Sequence, residues 1–383
     1  MNAFGGYQGL KRFVNAANGM GIGVMIDVVW NHADGGNALK AYDGYTGGAG
    51  NGIYFYEDST NANTAWGPRF NYGTPQVAQY ILDSIKMFIQ EYHISGFRFD
   101  STVCIRRGTS VCWGSGANNL DDGWRLLQNA NNLVNQLVTN GFTNAEDDQS
   151  WPVITLPTSD SGVGQGGVKG GAGFTSQWGY GFFYPYFTQL TQGSNSNIDM
   201  GEVANLITDT NDAGGDPRRT MFTENHDMAS NQNKGRIPGV VNPGGNPYSP
   251  SYYAQKKAML GLATILTSPL YPMLFYGQEM LTYATFQFPV PPNLDWGLAN
   301  ANAGIVKEVT DLIALRTNKY GTTSGLTGNF TQILSISNDA SDKVVLFRRS
   351  TSSSDPGVVV VLNYYQTSYP SFQLQNMPAD GQW

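Results

Sequence analysis

The chain has 383 residues, 22 Lys and Arg against 29 Asp and Glu, three His and two Cys. With only 13% charged residues and a net charge of −7 there is no basic footprint for nucleic acid, and no apolar run approaches the about 20 residues of a membrane helix. Two Cys exclude a disulfide scaffold, three His make a His-rich metal site improbable, and Met1-Asn2-Ala3-Phe4-Gly5-Gly6 lacks the basic and apolar regions of a signal peptide.

In chain order, Leu10, Phe13, Val14 and Ala17 stand at helical spacing and predict a helix over 7–19. Residues 24–30 form an apolar run broken by Asp27, the pattern of a strand buried on both faces. A Gly-, Asn- and Tyr-rich insertion fills 31–74. Thr74-Pro75 then opens a helix with Val77, Ile81, Ile85, Phe88, Ile89 and Tyr92 on its apolar face. A strand is expected over 94–100, a helix over 120–138 and a strand over 141–147. Gly162 to Gly173 lacks the Gly-Lys-Ser/Thr ending of a phosphate loop and reads as a flexible active-site loop. Strands near 173–177 and 220–224, a helix from Ser249-Pro250 to about 266, a strand over 271–276 and a helix over 304–317 follow. Beyond that, 331–337, 343–349, 357–363 and 371–375 read as strands with no helix between them.

Strands alternating with helices imply an α/β fold with a parallel sheet, doubly wound or closed as a barrel. Six such strands are counted where a TIM-type (β/α)8 barrel needs eight. Because a helix comes first, the two missing strands are expected before Met1. The expected domains are a barrel over 1–318, with a loop subdomain at 31–74, and a small antiparallel C-terminal β-domain over 319–383, incomplete at its end.

Acids recur at the predicted strand ends: Asp27, then Arg98 and Asp100, then Glu146, then Glu224 and Asp227. Parallel α/β folds place their sites at these ends. Any one such acid reads first as a capping or solvated carboxylate. Buried strand-end acids are costly unless paired, so their recurrence argues for a convergent carboxylate cluster. Glycoside cleavage needs such a cluster, with one carboxylate as nucleophile and another as acid. Trp66, Trp113, Trp151 and Trp178 fall in predicted loops or strand ends, where they could stack on sugars or fill a core. Cys104 and Cys112 flank a short loop and are read either as a disulfide or as two thiols.

Asp27-Val28-Val29-Trp30-Asn31-His32, Gly96-Phe97-Arg98-Phe99-Asp100, Ala145-Glu146-Asp147-Asp148 and Phe222-Thr223-Glu224-Asn225-His226-Asp227 resemble, in order, the four sequence regions of the alpha-amylase family of glycoside hydrolases. The resemblance implies that Asp100 is the nucleophile of a retaining double displacement, Glu146 the general acid and base, and Asp227 a stabiliser of the distorted sugar. It implies that Arg98 lies beside Asp100, that His32 and His226 bind sugar hydroxyls, and that Asp27 is an acid near the site. Trp178 joins the expected substrate contacts.

Ser101-Thr102-Val103-Cys104 departs from a Lys-His pair that many amylases carry there, leaving Asn31 as one candidate oxygen ligand for a structural calcium; no cofactor is otherwise required. The segment after Glu146, with Ser150-Trp151-Pro152, Pro157-Thr158 and Gln177-Trp178, is closer to 1,4-alpha-glucan branching enzymes. The expected activity is cleavage or transfer at α-1,4-glucosidic bonds of starch- or glycogen-like α-glucans. The alternatives are a hydrolytic alpha-amylase or a non-catalytic glucan-binding homologue. The expected partner is an α-glucan, with no nucleic acid, no membrane and a monomeric state; the composition resembles that of secreted carbohydrate-active proteins more than that of cytosolic ones, and the localisation is left open.

Overall fold

The structure, a computed structural model, describes residues 5–34, 38–43, 52–208, 218–230, 234–285, 293–339 and 341–380. It divides into two compact units, the first ending at Trp178 and the second starting at Gly179.

The first unit contains helix α1 (Gly6–Gly19), strand β1 (Met25–Val28), α2 (Pro75–Tyr92), β2 (Gly96–Phe99), α3 (Thr102–Arg106), α4 (Asp121–Leu137), β3 (Phe142–Ala145), a short hairpin of β4 (Gly164–Gln165) and β5 (Val168–Lys169), and β6 (Ser176–Trp178). Parallel pairing runs β1 to β2, β2 to β3 and β3 to β6. Asp27, Arg98, Asn144 and Ser176 stand in one row across these strands, and Val28, Phe99, Ala145 and Gln177 in the next. A strand's side chains alternate faces, so Phe97 and Phe99 turn one way and Arg98 the other. The Phe side packs into a buried core with Val77, Ile81, Ile85 and Ile89 of α2 and Trp124, Leu127 and Val134 of α4. Each fully buried aliphatic side chain stabilises by about 1.5–3 kcal/mol, which is why the helical apolar face of α2 predicts its packing so well.

Three expectations for this unit change. β1 is not buried on both faces: Met25 is 40% exposed, since β1 pairs with β2 and with no other described strand. Thr74 precedes α2 without a side-chain capping bond. Gly162 to Gly173 is pinned to α4, not left loose, because Trp124 Nε1 donates to the Gly170 carbonyl, Gln128 to those of Lys169 and Gly171, and Asn131 to that of Ala172.

The second unit contains α5 (Tyr180–Thr191), α6 (Met200–Thr208), β7 (Arg219–Met221), α7 (His226–Ala229), α8 (Ile237–Val241), α9 (Tyr252–Thr267), β8 (Tyr271–Pro272), α10 (Gly297–Ala301), α11 (Ala303–Arg316) and strands β9 (Phe330–Ser337), β10 (Val344–Ser350) and β11 (Val358–Asn363). β7 and β8 pair in parallel, and β10 lies antiparallel between β9 and β11. Residues 371–375 form no strand. The α9 cap is Ser251, whose Oγ accepts from the Ala254 N–H, two residues beyond the expected Ser249. The β-sheet is tied to the helices by polar groups. Tyr364 Oη meets Tyr186 Oη at 2.7 Å and Thr264 Oγ1 at 3.0 Å, and buried Arg349 donates to the carbonyls of Thr267, Leu326 and Gly328. Burial, then Arg316, pushes the Arg349 pKa down to about 9.

Candidate active site

Two neighbouring strands end in register. Phe99 lies opposite Ala145, so the next residues, Asp100 and Glu146, sit side by side at the carboxyl ends of β2 and β3. The ladder continues one step past the strands: the Asp100 N–H donates to the Val28 carbonyl and the Glu146 N–H to that of Phe99. The two-residue period puts Asp100 on the face of Arg98, Glu146 on that of Asn144, and Trp178 on that of Ser176. Sequence order alone therefore brings two carboxylates, one guanidinium and one indole to one rim.

Arg98 organises them. Its Nη1 donates to Asp100 Oδ1 at 2.7 Å, its Nη2 lies 2.5 Å from Glu146 Oε2, and Asp27 Oδ2 is 3.8 Å away. The two acids thus stand one guanidinium's width apart. Burial works against the Arg98 charge, but Glu146, Asp100 and Asp27 together outweigh it and raise its pKa. Trp178 is buried, with its ring centroid 4.4 Å from the guanidinium carbon. Its face serves Arg98 as a cation–π partner.

The other contacts fix orientation. Asn31, fully buried, donates from Nδ2 to the Asp100 carbonyl at 2.7 Å and to Asp100 Oδ2 at 2.8 Å. That leaves Asn31 Oδ1 as an acceptor, and it faces His32 Nδ1. His32 Nδ1 must then carry a proton, and Nε2 of the neutral ring is an acceptor. Burial lowers the His32 pKa, against the opposing pull of Asp100 and Asp34. Ser101 takes a left-handed backbone conformation, φ 37°, which aims its N–H at Glu146 Oε2, 2.8 Å away. Such a conformation costs a non-glycine residue about 1–2 kcal/mol.

Asp147, next to Glu146, is a residue that sequence reasoning passed over. It is fully buried and takes a bidentate pair from Arg106, at 2.7 Å from Nε and 2.9 Å from Nη2. Thr102 Oγ1 donates to Asp147 at 3.1 Å and to the Glu146 carbonyl at 3.0 Å, so α3 clamps the end of β3. Cys104 and Cys112 form a disulfide, which decides between the two readings of that pair.

Exposed aromatic rings continue from His32. Trp66 lies 5.7 Å from the His32 ring and Trp113 lies 5.5 Å from Trp66, centroid to centroid. They are 52% and 37% exposed. Gly67 allows the approach, since a Cβ there would lie 2.1 Å from the Ala33 carbonyl oxygen. Buried Arg69 spends its donors on the carbonyls of Asn61, Cys104 and Thr109, joining the loop of Trp66 to the disulfide loop of Trp113.

In the second unit, Asp227 is the second residue of the short α7, capped by Asn225, whose Oδ1 accepts from the Met228 N–H at 2.8 Å. Tyr180 Oη donates to Asp227 Oδ2 at 3.2 Å, and His226 Nε2 lies 3.5 Å from Asp227 Oδ1. Glu224 is instead buried on Arg236, 2.5 Å from its Nε, and accepts from the Ile237 N–H. It is a structural ion pair.

Among the described residues no group of three or more His, Cys, Asp or Glu gathers to hold a metal ion. Asn31 Oδ1, the candidate calcium ligand, is turned to the His32 ring. Calcium takes roughly 6–8 oxygen ligands, so this donor set does not fit one. No helix among the described residues is long and apolar enough to cross a membrane.

No family model matches the chain. A 1,4-alpha-glucan-branching enzyme of Emericella nidulans is 29% identical over 238 residues, 59% of this chain and 32% of that enzyme. A branching enzyme of Prochlorococcus marinus is 24% identical over 99% of this chain and 48% of its own length. One from Felis catus is 31% identical over 42% of this chain and 24% of its own length. The sequence likeness is to branching enzymes of the alpha-amylase family. The chain spans about a quarter to a half of the length of these curated relatives. Among solved structures, a Salmonella typhimurium protein assigned as an alpha amylase aligns over 96% of this chain and 66% of its own, with TM-score 0.65 and 19% identity. A cyclic alpha-maltosyl-(1→6)-maltose hydrolase of Arthrobacter globiformis aligns over 90% of this chain and 69% of its own, at TM-score 0.61 and 16% identity. These show the fold: the TIM-type barrel class with a small antiparallel C-terminal sheet.

Proposed function

We propose that the chain is the catalytic part of a retaining α-glucan-active enzyme that transfers a cleaved α-1,4-linked segment to a glucan hydroxyl, as a branching enzyme does. The pair of carboxylates, Asp100 and Glu146, held side by side on one guanidinium, carries the retaining chemistry, and the sequence likeness to branching enzymes favours a glucan hydroxyl as the acceptor. In the proposed organisation residues 1–318 form the catalytic barrel, 31–74 its loop subdomain, and 319–383 the β-domain.

Asp100, with Arg98 on one oxygen and Asn31 on the other, is the acceptor-only group a nucleophile should be. It attacks the anomeric carbon while Glu146 gives its proton to the departing glycosidic oxygen, and the C–O bond to that oxygen breaks. The Ser101 N–H donates to Glu146 Oε2 and orients the carboxyl that carries the proton. In the second half Glu146 takes a proton from an incoming hydroxyl, whose oxygen displaces Asp100. If that hydroxyl belongs to a glucan, a branch forms; if it is water, the bond is hydrolysed. With Glu146 carrying its proton, Asp27 and Asp100 around the one cation still leave the cluster net negative, suited to a transition state with positive charge on the sugar. Asp227 and His226 would hold hydroxyls of the cleaved sugar, as would His32 Nε2, and Trp66 and Trp113 would stack on neighbouring glucose units.

Substituting the two acids tests this reading. Asp100→Asn and Glu146→Gln should each lower turnover of amylose by at least about 1,000-fold. Circular dichroism should stay unchanged. More than about a tenth of wild-type turnover in either folded variant would remove the assignment.

A further inference from the structure

Away from the acids, the second unit has a cavity of about 310 Å³ between α9, α11 and the chain that leaves β11. Tyr252, Tyr253 and Lys257 of α9, Glu308 of α11, and Asn363 and Gln366 line it. Ligand sites start at roughly 300 Å³, so this is a small one.

Two of its groups lack something to bond. Lys257 is 6% exposed, and its Nζ has no hydrogen-bond partner among the described residues. Oε2 of Glu308 is buried and equally unpartnered. An unsatisfied buried amine is costly, so a cavity lined by one suits a ligand that brings an oxygen from outside. Burial alone pulls the Lys257 pKa down to about 8 and, opposed by Lys256, pushes that of Glu308 up.

The mouth is aromatic. Tyr252 is 57% exposed and Tyr253 46%, with rings 5.5 Å apart and 81° to each other, so they form a corner that offers a face and an edge. A corner of exposed rings above a buried amine and a buried carboxyl oxygen suits a ligand with an apolar face and a hydroxylated edge. We infer that this cavity is a second saccharide site, taking the glucosyl end of an α-glucan between the α9 tyrosines and the side chains of Lys257 and Glu308. The identity of the sugar rests on the function proposed above; the existence of the site does not. Its use would be to hold a polymer while the acids work on another part of it.

The test is retardation of the whole chain in native gels containing glycogen, for wild type, Tyr252→Ala/Tyr253→Ala and Lys257→Met, with turnover of maltoheptaose measured alongside. The double variant should raise the apparent dissociation constant for glycogen about three- to tenfold and leave maltoheptaose turnover unchanged. Lys257→Met should do the same, and the exposed tyrosines keep the test valid if that variant does not fold. Wild-type retardation in both variants overturns the site, as does loss of the tyrosine-dependent retardation in millimolar inorganic phosphate, which would mark an anion site. If maltoheptaose is not turned over but the tyrosines still govern retardation, the catalytic reading fails and the saccharide site stands.

Discussion

Arg98 contacts Asp27, Asp100 and Glu146, and each contact follows from where the residues stand in the strands. The same logic extends through hydrogen bonds: Asp100 fixes the Asn31 amide, and the amide fixes the His32 ring. His32 gives a pH prediction with a definite sign. Its folded pKa lies below the ordinary 6.5, so the unfolded chain takes up a proton first as pH falls. The stability associated with the neutral ring is present above 6.5 and is lost as pH drops through the folded value. The Tm of wild type relative to His32→Gln should therefore decline as pH is lowered from about 7.5 to 5.5. A difference in Tm that stays flat across that range would contradict the assignment of a half-buried, neutral His32.

At the scale of elements, the joint between α3 and β3 bears on stability most directly. Arg106 and Asp147 are both buried and satisfy each other, and Thr102 completes the clamp. Removing one partner of a buried pair leaves a charge uncompensated, so Asp147→Ala should destabilise by about 3–5 kcal/mol in urea unfolding. A loss under about 1 kcal/mol would show that Arg106 finds another partner. This joint was hidden in the sequence because Asp147 sits among acids, next to Glu146 and Asp148, and nothing local names Arg106, 41 residues earlier, as its partner. The long helices α2, α4 and α11 were legible, since each repeats apolar residues at helical spacing. By contrast α5, with Pro185 inside it and aromatics nearly all round, gave no periodic signal. Strand existence was readable except at 371–375, where no strand forms, and strand length was not, as β8 shows with two residues where six were expected.

For the molecule as a whole, low charge made the acids conspicuous, and the strand-end rule for parallel sheets gave them a meaning. The roles of Trp66 and Trp113 were harder to read, because their neighbours are set by the disulfide and by Arg69, not by any pattern along the chain. Trp178 was expected at the substrate and stands under Arg98. The acids divide between the two units, with Asp100 and Glu146 in the first and Asp227 in the second. Whether a glucan hydroxyl or water frees Asp100 is read directly from the products of amylose. Incubated with this chain, amylose should lose its iodine colour and gain α-1,6 linkages, seen as their anomeric proton signal, with few new reducing ends. Reducing ends that rise in step with the loss of colour, and no α-1,6 signal, would contradict the account.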